Sequence, residues 1–415
     1  MPNRYIYRQD KRQVGETHLP FAAVAERGQS MREKRKDFWW GALVGALAVT
    51  VVLMGGRLSS ALSGGSGPES RATQNKIRAV NALIKSHYLN ERDEQALSDG
   101  MLRGLVAGLD DTYAAYYTAS EYEEIQNANN GEYDGLGLVM QKDGTTGEVT
   151  IVDCYEGTPA EAAGIKSGDV LISADGLLAA EVELDVLAAA IKGSEGKTVR
   201  LVLKRDGETY ERDVEKARIE VHMVDSRMLE DQIGYIRISQ FTAHVAEDFR
   251  KAYESMTGEG MKGLIVDLRS NPGGLMDSVV DTLNVFMPQG LLVYTEDRAG
   301  ERTEYGSEGE TPIEIPLVVL VNGSSASASE IFAGAVKDYG VGTLVGTVTF
   351  GKGIVQKTYT MADGSAVKMT TAYYYTPKGE CIHGKGIQPD VEVEPNTDGE
   401  EDVQLQRAVE ICRKG

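Results

Sequence analysis

The apolar and polar positions divide the chain into stretches of different period. The first is FWWGALVGALAVTVVLMGG, nineteen uncharged positions at 38–56. As a helix rising ~1.5 Å per residue, it is long enough to cross a ~30 Å hydrocarbon layer. Phe38, Trp39 and Trp40 stand at its start, where interfacial aromatics lie. RLSSALSGGSGPESRAT (57–73) is small and polar, which suits a flexible tether. QNKIRAVNALIKSHYL and EQALSDGMLRGLVAGL then place apolar residues at helical intervals, and SEYEEIQNAN extends the helical pattern to Asn130-Gly131.

From about 132 the period shortens to two. EYDGLGLVMQ, GEVTIVDCY, GDVLISADG and KTVRLVLKRDGETYERDV alternate or run apolar between Gly-Asp and Asp-Gly turns, which predicts a compact β-rich module with one clear helix, LDVLAAAIKG (184–193). Beyond 217, short apolar runs (QIGYIRISQF, KGLIVDLRSN, PLVVLVNG, VGTLVGTV) are separated by helical ones (HVAEDFRKAYESM, GLMDSVVDTLNVFM, ASEIFAGAVKDYG). Strands alternating with helices predict an α/β core with a mostly parallel sheet. A charged helix, EDVQLQRAVEICRKG, closes the chain.

Charge gives the apolar run an orientation. Residues 1–37 hold nine Lys/Arg against five Asp/Glu, ending in Arg32, Lys34, Arg35 and Lys36, whereas almost no basic residue follows the span closely. The expectation is an uncleaved anchor at 38–57, with the N-terminus cytoplasmic and the rest extracytoplasmic. A cleaved signal peptide would need an unusually long basic region, and no A-x-A site follows. The formal charge of -20 over 415 residues argues against nucleic-acid binding. Cys154, Cys381 and Cys412 are too far apart for a zinc site or a disulfide framework, and no metal or organic cofactor is expected.

In an α/β core, chemistry gathers at the carboxyl ends of strands. Two such ends stand out: LIVDLR running into SNPGG, and LVVLVN running into GSSASASE. Ser327-Ala-Ser-Glu330 matches the S-x-x-E capping box, so on spacing alone the serine is explained without catalysis. The same turn also exposes a hydroxyl beside the free N–H groups of a helix N-terminus, which can stabilise an oxyanion.

A serine nucleophile needs a base. His383, in CIHGKGIQPD, is the only placeable histidine, and nothing near it has the pattern of a triad. TFGKGIVQ instead sets Lys352 between two glycines, with Phe350, Ile354 and Val355 to enclose it and Gln356 able to hold the amine without adding charge. Enclosure lowers a lysine pKa from ~10.4. Gly346-x-x-x-x-Gly351-Lys352 also looks like a phosphate loop, but it lacks the final Ser/Thr and runs into strand-turn-strand, which excludes nucleotide binding.

Together SASASE, a lysine 25 positions after Ser327, Gln356 and the preceding LIVDLRSNPGG resemble the carboxyl-terminal processing peptidases, or tail-specific proteases. GLDDTYAAYYT, YDGLGL, GTPAEAAGIKSGDVL and GIQPDV extend the resemblance over most of 75–395. It implies a Ser327 nucleophile, a Lys352 base and Gln356 as the residue orienting the lysine. The oxyanion donors would be the N–H groups of Ala328 and of a glycine in NPGG, taken as Gly274 rather than Gly273. Ser325 and Ser329 are left to the turn and to helix capping. The β-rich module resembles a PDZ domain with Gly135, Leu136, Gly137 and Leu138 as its carboxylate-binding loop, consistent with backbone N–H groups holding a terminal carboxylate.

The resulting expectation is an α/β protease core with a mostly parallel sheet, an inserted PDZ domain, N-terminal helices and one transmembrane helix. Its segments are a tail at 1–37, an anchor at 38–57, a linker at 58–73, helices at 74–129, PDZ at 130–215, core at 216–397 and a last helix at 398–415. The substrates would be protein or peptide C-termini. The outer helices are candidates for homodimerisation. A membrane-anchored PDZ scaffold without catalysis is the reading from another class.

Overall fold

The computed structural model describes residues 67–192, 196–309, 312–396 and 401–414. The expected tail and anchor, and the linker up to residue 66, lie outside these. Among the described residues no helix is long and apolar enough to cross a membrane. The described residues divide into two units on either side of the Arg92–Asp93 junction. In the first, α1 (Arg71–His87) begins at Ser70, whose hydroxyl accepts the Thr73 N–H at 3.1 Å, and Ile77, Val80 and Leu83 on it are exposed.

The second unit opens with α2 (Glu94–Ala107), capped by Asp93, then β1 (Ala115–Tyr117) and α3 (Ala119–Asn130). Thr118 and Glu121 form a capping box on α3, and Gly131 ends it at φ 81°.

The β-rich module is inserted through a two-stranded ribbon: the chain enters on β2 (Glu132–Gly135) and leaves on β9 (Ala217–Glu220), paired antiparallel. Between them lie β3 (Leu138–Lys142), β4 (Val149–Cys154), a single turn α4 (Pro159–Ala162), β5 (Val170–Ala174), β6 (Leu177–Leu178), α5 (Leu184–Ile191), β7 (Thr198–Arg205) and β8 (Glu208–Glu215). The order β3-β4-β5-β7-β8 is antiparallel throughout, with β6 on β5. Alternate residues such as Val199, Leu201 and Leu203 join Leu136, Ile151 and Leu187 in its core.

The remaining elements are β10 (Val224–Met228), β11 (Ile233–Ile238), α6 (Val245–Gly258), β12 (Gly263–Asp267), α7 (Met276–Leu283), β13 (Gly290–Asp297), β14 (Arg302–Ser307), β15 (Leu317–Val321), α8 (Ala328–Tyr339), β16 (Thr343–Gly346), β17 (Ile354–Thr360), β18 (Ala366–Tyr375), β19 (Val391–Glu392) and α9 (Val403–Lys414). One sheet has the order β10-β11-β12-β15-β16-β19. Every residue of β12 and β15 is buried, as continuous apolar runs require when both faces are covered. Leu264, Val266, Val319 and Val321 face a core with Phe249, Phe286 and Phe332, while Ile265, Val318 and Leu320 pack with Ala408 and Cys412 of α9.

The sheet running from β10 to β19 is mostly parallel, as expected, but one edge strand runs the other way and a further sheet stands beside it in the chain's topology. β10 pairs antiparallel with β11, so this sheet is mixed, and a second, antiparallel sheet runs β1-β18-β13-β14 with β17 on β18. Its pairings join strands distant in sequence, such as Ala115 with Lys368, which no local period reports. The C-terminal helix lies on its own core instead of standing free. Arg269 fastens the start of this segment, donating to Asp402 at 2.8 and 2.7 Å and to Asp267 at 2.6 Å.

Candidate active site

Adjacent parallel strands β12 and β15 release their loops side by side, and small polar side chains stitch the loops together. Asn322 Oδ1 accepts the N–H groups of Ser270 at 2.9 Å and Ser324 at 3.0 Å. The Ser325 hydroxyl donates to the Leu268 carbonyl at 2.8 Å and accepts the Asn322 N–H at 2.9 Å. The Asn271 carbonyl accepts both the Ala326 N–H and the Ser329 hydroxyl at 3.0 Å. Ser329, read as a helix cap, therefore ties one loop to the other. The density of hydroxyls has a structural cause: buried loop backbone must find partners, and serine supplies them in little volume.

Ser327 stands at the turn from strand to helix with φ 54° and ψ −112°, a strained conformation for a residue with a Cβ that costs on the order of 1–3 kcal/mol. Its surroundings hold it there. Its carbonyl accepts the N–H groups of Glu330 at 2.8 Å and Ile331 at 3.0 Å and the Tyr374 hydroxyl at 3.1 Å. Its N–H donates to Glu330 Oε2 at 2.9 Å.

Glu330 does more than the capping box asked of it. Fully buried, it also accepts the Thr349 hydroxyl at 2.6 Å and the N–H groups of Gly351 at 2.7 Å and Lys352 at 2.8 Å. One carboxylate thus fastens the loop carrying Ser327 to the loop carrying Lys352. The S-x-x-E spacing pointed to this residue, but only the fold reveals its second set of partners.

Lys352 is half-buried. Burial, aided by the charge of Lys368, holds its amine below the ordinary lysine pKa, against the opposing pull of Asp111 and Glu330. Its Nζ lies 4.6 Å from the centroid of the Tyr113 ring. Among the described residues no hydrogen bond joins this amine to the Ser327 hydroxyl. Among the described residues no hydrogen bond joins Gln356 to the amine either, and its Nε2 donates to the Thr370 hydroxyl at 3.4 Å. His383 is exposed and meets the edge of the Tyr373 ring, with centroids 5.7 Å apart.

The two candidate glycines differ. A Cβ on Gly273 would lie 2.8 Å from Ser327 Cβ and 2.9 Å from Ala328 N, so this glycine lets the loop approach the turn. Its N–H is already donated to Asn271 Oδ1 at 2.8 Å. Gly274 packs against the Phe241 carbonyl, and among the described residues its N–H has no acceptor. In the inserted module, Leu136 is fully buried, and its carbonyl accepts the Ala160 N–H at 2.9 Å. Burial pushes the pKa of the Tyr133 hydroxyl up to about 12, and Lys192 Nζ lies 5.5 Å from the same ring. No group of three or more His, Cys, Asp or Glu among the described residues could hold a metal ion.

The chain matches peptidase family S41 over 232–393, a PDZ domain over 135–215 and the N-terminal domain of the activating protease CtpB over 58–121. It is 36% identical over 352 residues to the carboxy-terminal processing protease CtpA of Bacillus subtilis, covering 84% of this chain and 74% of that one. A Staphylococcus aureus protein described as a CtpA-like serine protease is 33% identical over 327 residues, covering 78% of this chain and 65% of its own length. A solved structure described as an S41 protease of Bacteroides fragilis shares the fold at 16% identity with a TM-score of 0.50, covering 81% of this chain and 97% of that one. The chain belongs to the carboxy-terminal processing proteases of peptidase family S41, with a PDZ domain. It is a serine-type peptidase.

Proposed function

We propose that Ser327 and Lys352 form the catalytic dyad of a peptidase that takes protein C-termini into its PDZ domain and cleaves the tail. The observation that carries this reading is the pairing of a strained serine with a half-buried, pKa-depressed lysine on loops joined by one carboxylate. Neutral Lys352 removes the Ser327 proton as the hydroxyl oxygen attacks the scissile carbonyl. The developing oxyanion is met by the N–H groups of Ala328 and Gly274. Lys352 then returns the proton to the leaving amine, and water, deprotonated by the same lysine, releases the acyl group. Gln356, anchored on Thr370, steadies the amine as it swings toward Ser327.

In the PDZ domain, the N–H groups of Gly135 to Leu138 receive the tail carboxylate, and the peptide adds a strand beside β3. The uncharged run at 38–56 anchors the chain in a membrane with its N-terminus cytoplasmic and its peptidase extracytoplasmic, and exposed apolar residues of α1 and α2 serve a homodimer. The deciding experiment compares the parent with Ser327→Ala and Lys352→Ala on a tail peptide. Each variant is expected to lose cleavage by about 10³-fold or more while keeping parent affinity for the tail. Cleavage by either at the parent rate would sink the dyad.

A further inference from the structure

We infer that Tyr113 is a positioning residue for Lys352: carried on the turn between α2 and β1, its ring roofs the amine and keeps water from it. The inference rests on the proposed role of Lys352 as base. The turn is held tightly. Asp110 adopts φ 54°, Asp111 Oδ1 accepts the Tyr113 N–H at 2.9 Å, and Asp111 Oδ2 accepts the Thr370 N–H at 3.1 Å. Immediately after it, Ala115 pairs with Lys368 on β18. Tyr113 is therefore fixed to β18, the second arm of the hairpin that follows Lys352, with its ring centroid 4.6 Å from Nζ.

An aromatic face over an amine acts in two opposed ways. It attracts the ammonium form, and it excludes water, which favours the neutral form. The charged groups around the amine also oppose one another: Lys368 on β18 disfavours the ammonium, while Asp111 on the turn and Glu330 on α8 favour it. Burial is the largest influence on Lys352, and the ring 4.6 Å from Nζ is part of what covers the amine; on this inference its exclusion of water outweighs its attraction for the ammonium, and removing the ring returns the amine toward ordinary lysine behaviour.

Two readouts on the full chain test this. In a Ser327→Ala background, the acetylation rate of Lys352 by acetic anhydride, followed against pH by peptide mass spectrometry, gives its titration without catalysis. In the active protein, the pH profile of kcat/KM reads the same group. Tyr113→Ala is expected to move both midpoints up by about one unit, lowering kcat/KM at neutral pH roughly tenfold, while Tyr113→Phe keeps the parent profile. A midpoint that stays or falls in Tyr113→Ala, or moves as far in Tyr113→Phe, overturns the inference. Tyr113→Gln, of similar reach but without an apolar face, replaces the alanine variant if that does not fold. Ordinary lysine titration in the parent would instead refute the base assignment itself, so the two failures are distinguishable.

Discussion

Ser327 and Lys352 hang from the same atom: their backbone N–H groups donate to Oε2 of Glu330 at 2.9 and 2.8 Å. One buried carboxylate therefore helps to set the distance between the two loops, beside the Phe350 N–H that donates to the Ser325 carbonyl at 3.0 Å. Glu330→Gln keeps the size of the side chain but turns one acceptor into a donor facing N–H groups. Stability is expected to fall by about 1–3 kcal/mol and kcat/KM by roughly 10²-fold, with tail binding unchanged. Chemical denaturation and a peptide cleavage assay check this, and a variant matching the parent in both would remove Glu330 from the account.

The approach of the NPGG loop to the serine turn sets a second expectation. In Gly273→Ala the new Cβ would meet the Ala326 carbonyl at 2.7 Å and Ser327 Cβ at 2.8 Å, at a φ of 102°. The loops must separate. Cleavage should become undetectable and the melting temperature should drop, by an amount reflecting about 2 kcal/mol or more. Gly100→Ala, inside α2 where nothing lies within 4 Å, is the matched control: it should leave cleavage unchanged and raise stability by about 0.5–1 kcal/mol.

Acidification should inactivate the enzyme through Lys352. A base is active when deprotonated, so kcat/KM rises with pH through the lysine pKa and levels off above it. Because burial and Lys368 both lower that pKa, the plateau should begin below the ordinary lysine value. Lys368→Gln removes one lowering influence, so the acid limb should move to higher pH, by roughly half a unit for a charge partly screened by water. A shift to lower pH would contradict the arrangement of charges.

Tail recognition can be separated from chemistry. A Cβ on Gly137 would lie 2.4 Å from the Thr158 side chain, at a φ of 80°, so Gly137→Ala distorts the loop proposed to hold the carboxylate. The Kd for a fluorescent tail peptide should rise at least about tenfold. An amidated peptide, lacking the carboxylate, should bind parent and variant equally weakly. Unchanged affinity for the free acid in the variant would move carboxylate recognition elsewhere.

Which features were legible in sequence follows from the range of the interactions behind them. LIVDLR and LVVLVN announce strands buried on both faces because burial needs only a run of apolar residues, and Asn130-Gly131 announces the end of α3 because a left-handed cap is a local requirement. The seam itself was legible from SASASE, but what covers the lysine was not: Phe350, expected to enclose it, is exposed, and the ring over the amine is Tyr113, from a distant part of the chain. What stayed hidden depends on partners far along the chain. Ser329 looked like a cap because Asn271, which receives its hydroxyl, is 58 residues away. The anchor of Gln356 is invisible in sequence because Thr370 stands beside it only once the hairpin forms. Asp111 reaches Thr370 across 259 residues, a relation carried by no spacing rule.

The ribbon that admits the inserted domain has a further consequence. Its inner end pairs Gly135 with Ala217, so the chain leaves the catalytic fold and returns to it at neighbouring points. Whatever lies between those points can lengthen, shrink or be exchanged by recombination without rethreading a strand of the catalytic sheets. The choice of target and the cutting chemistry can thus drift apart in evolution, each under its own selection.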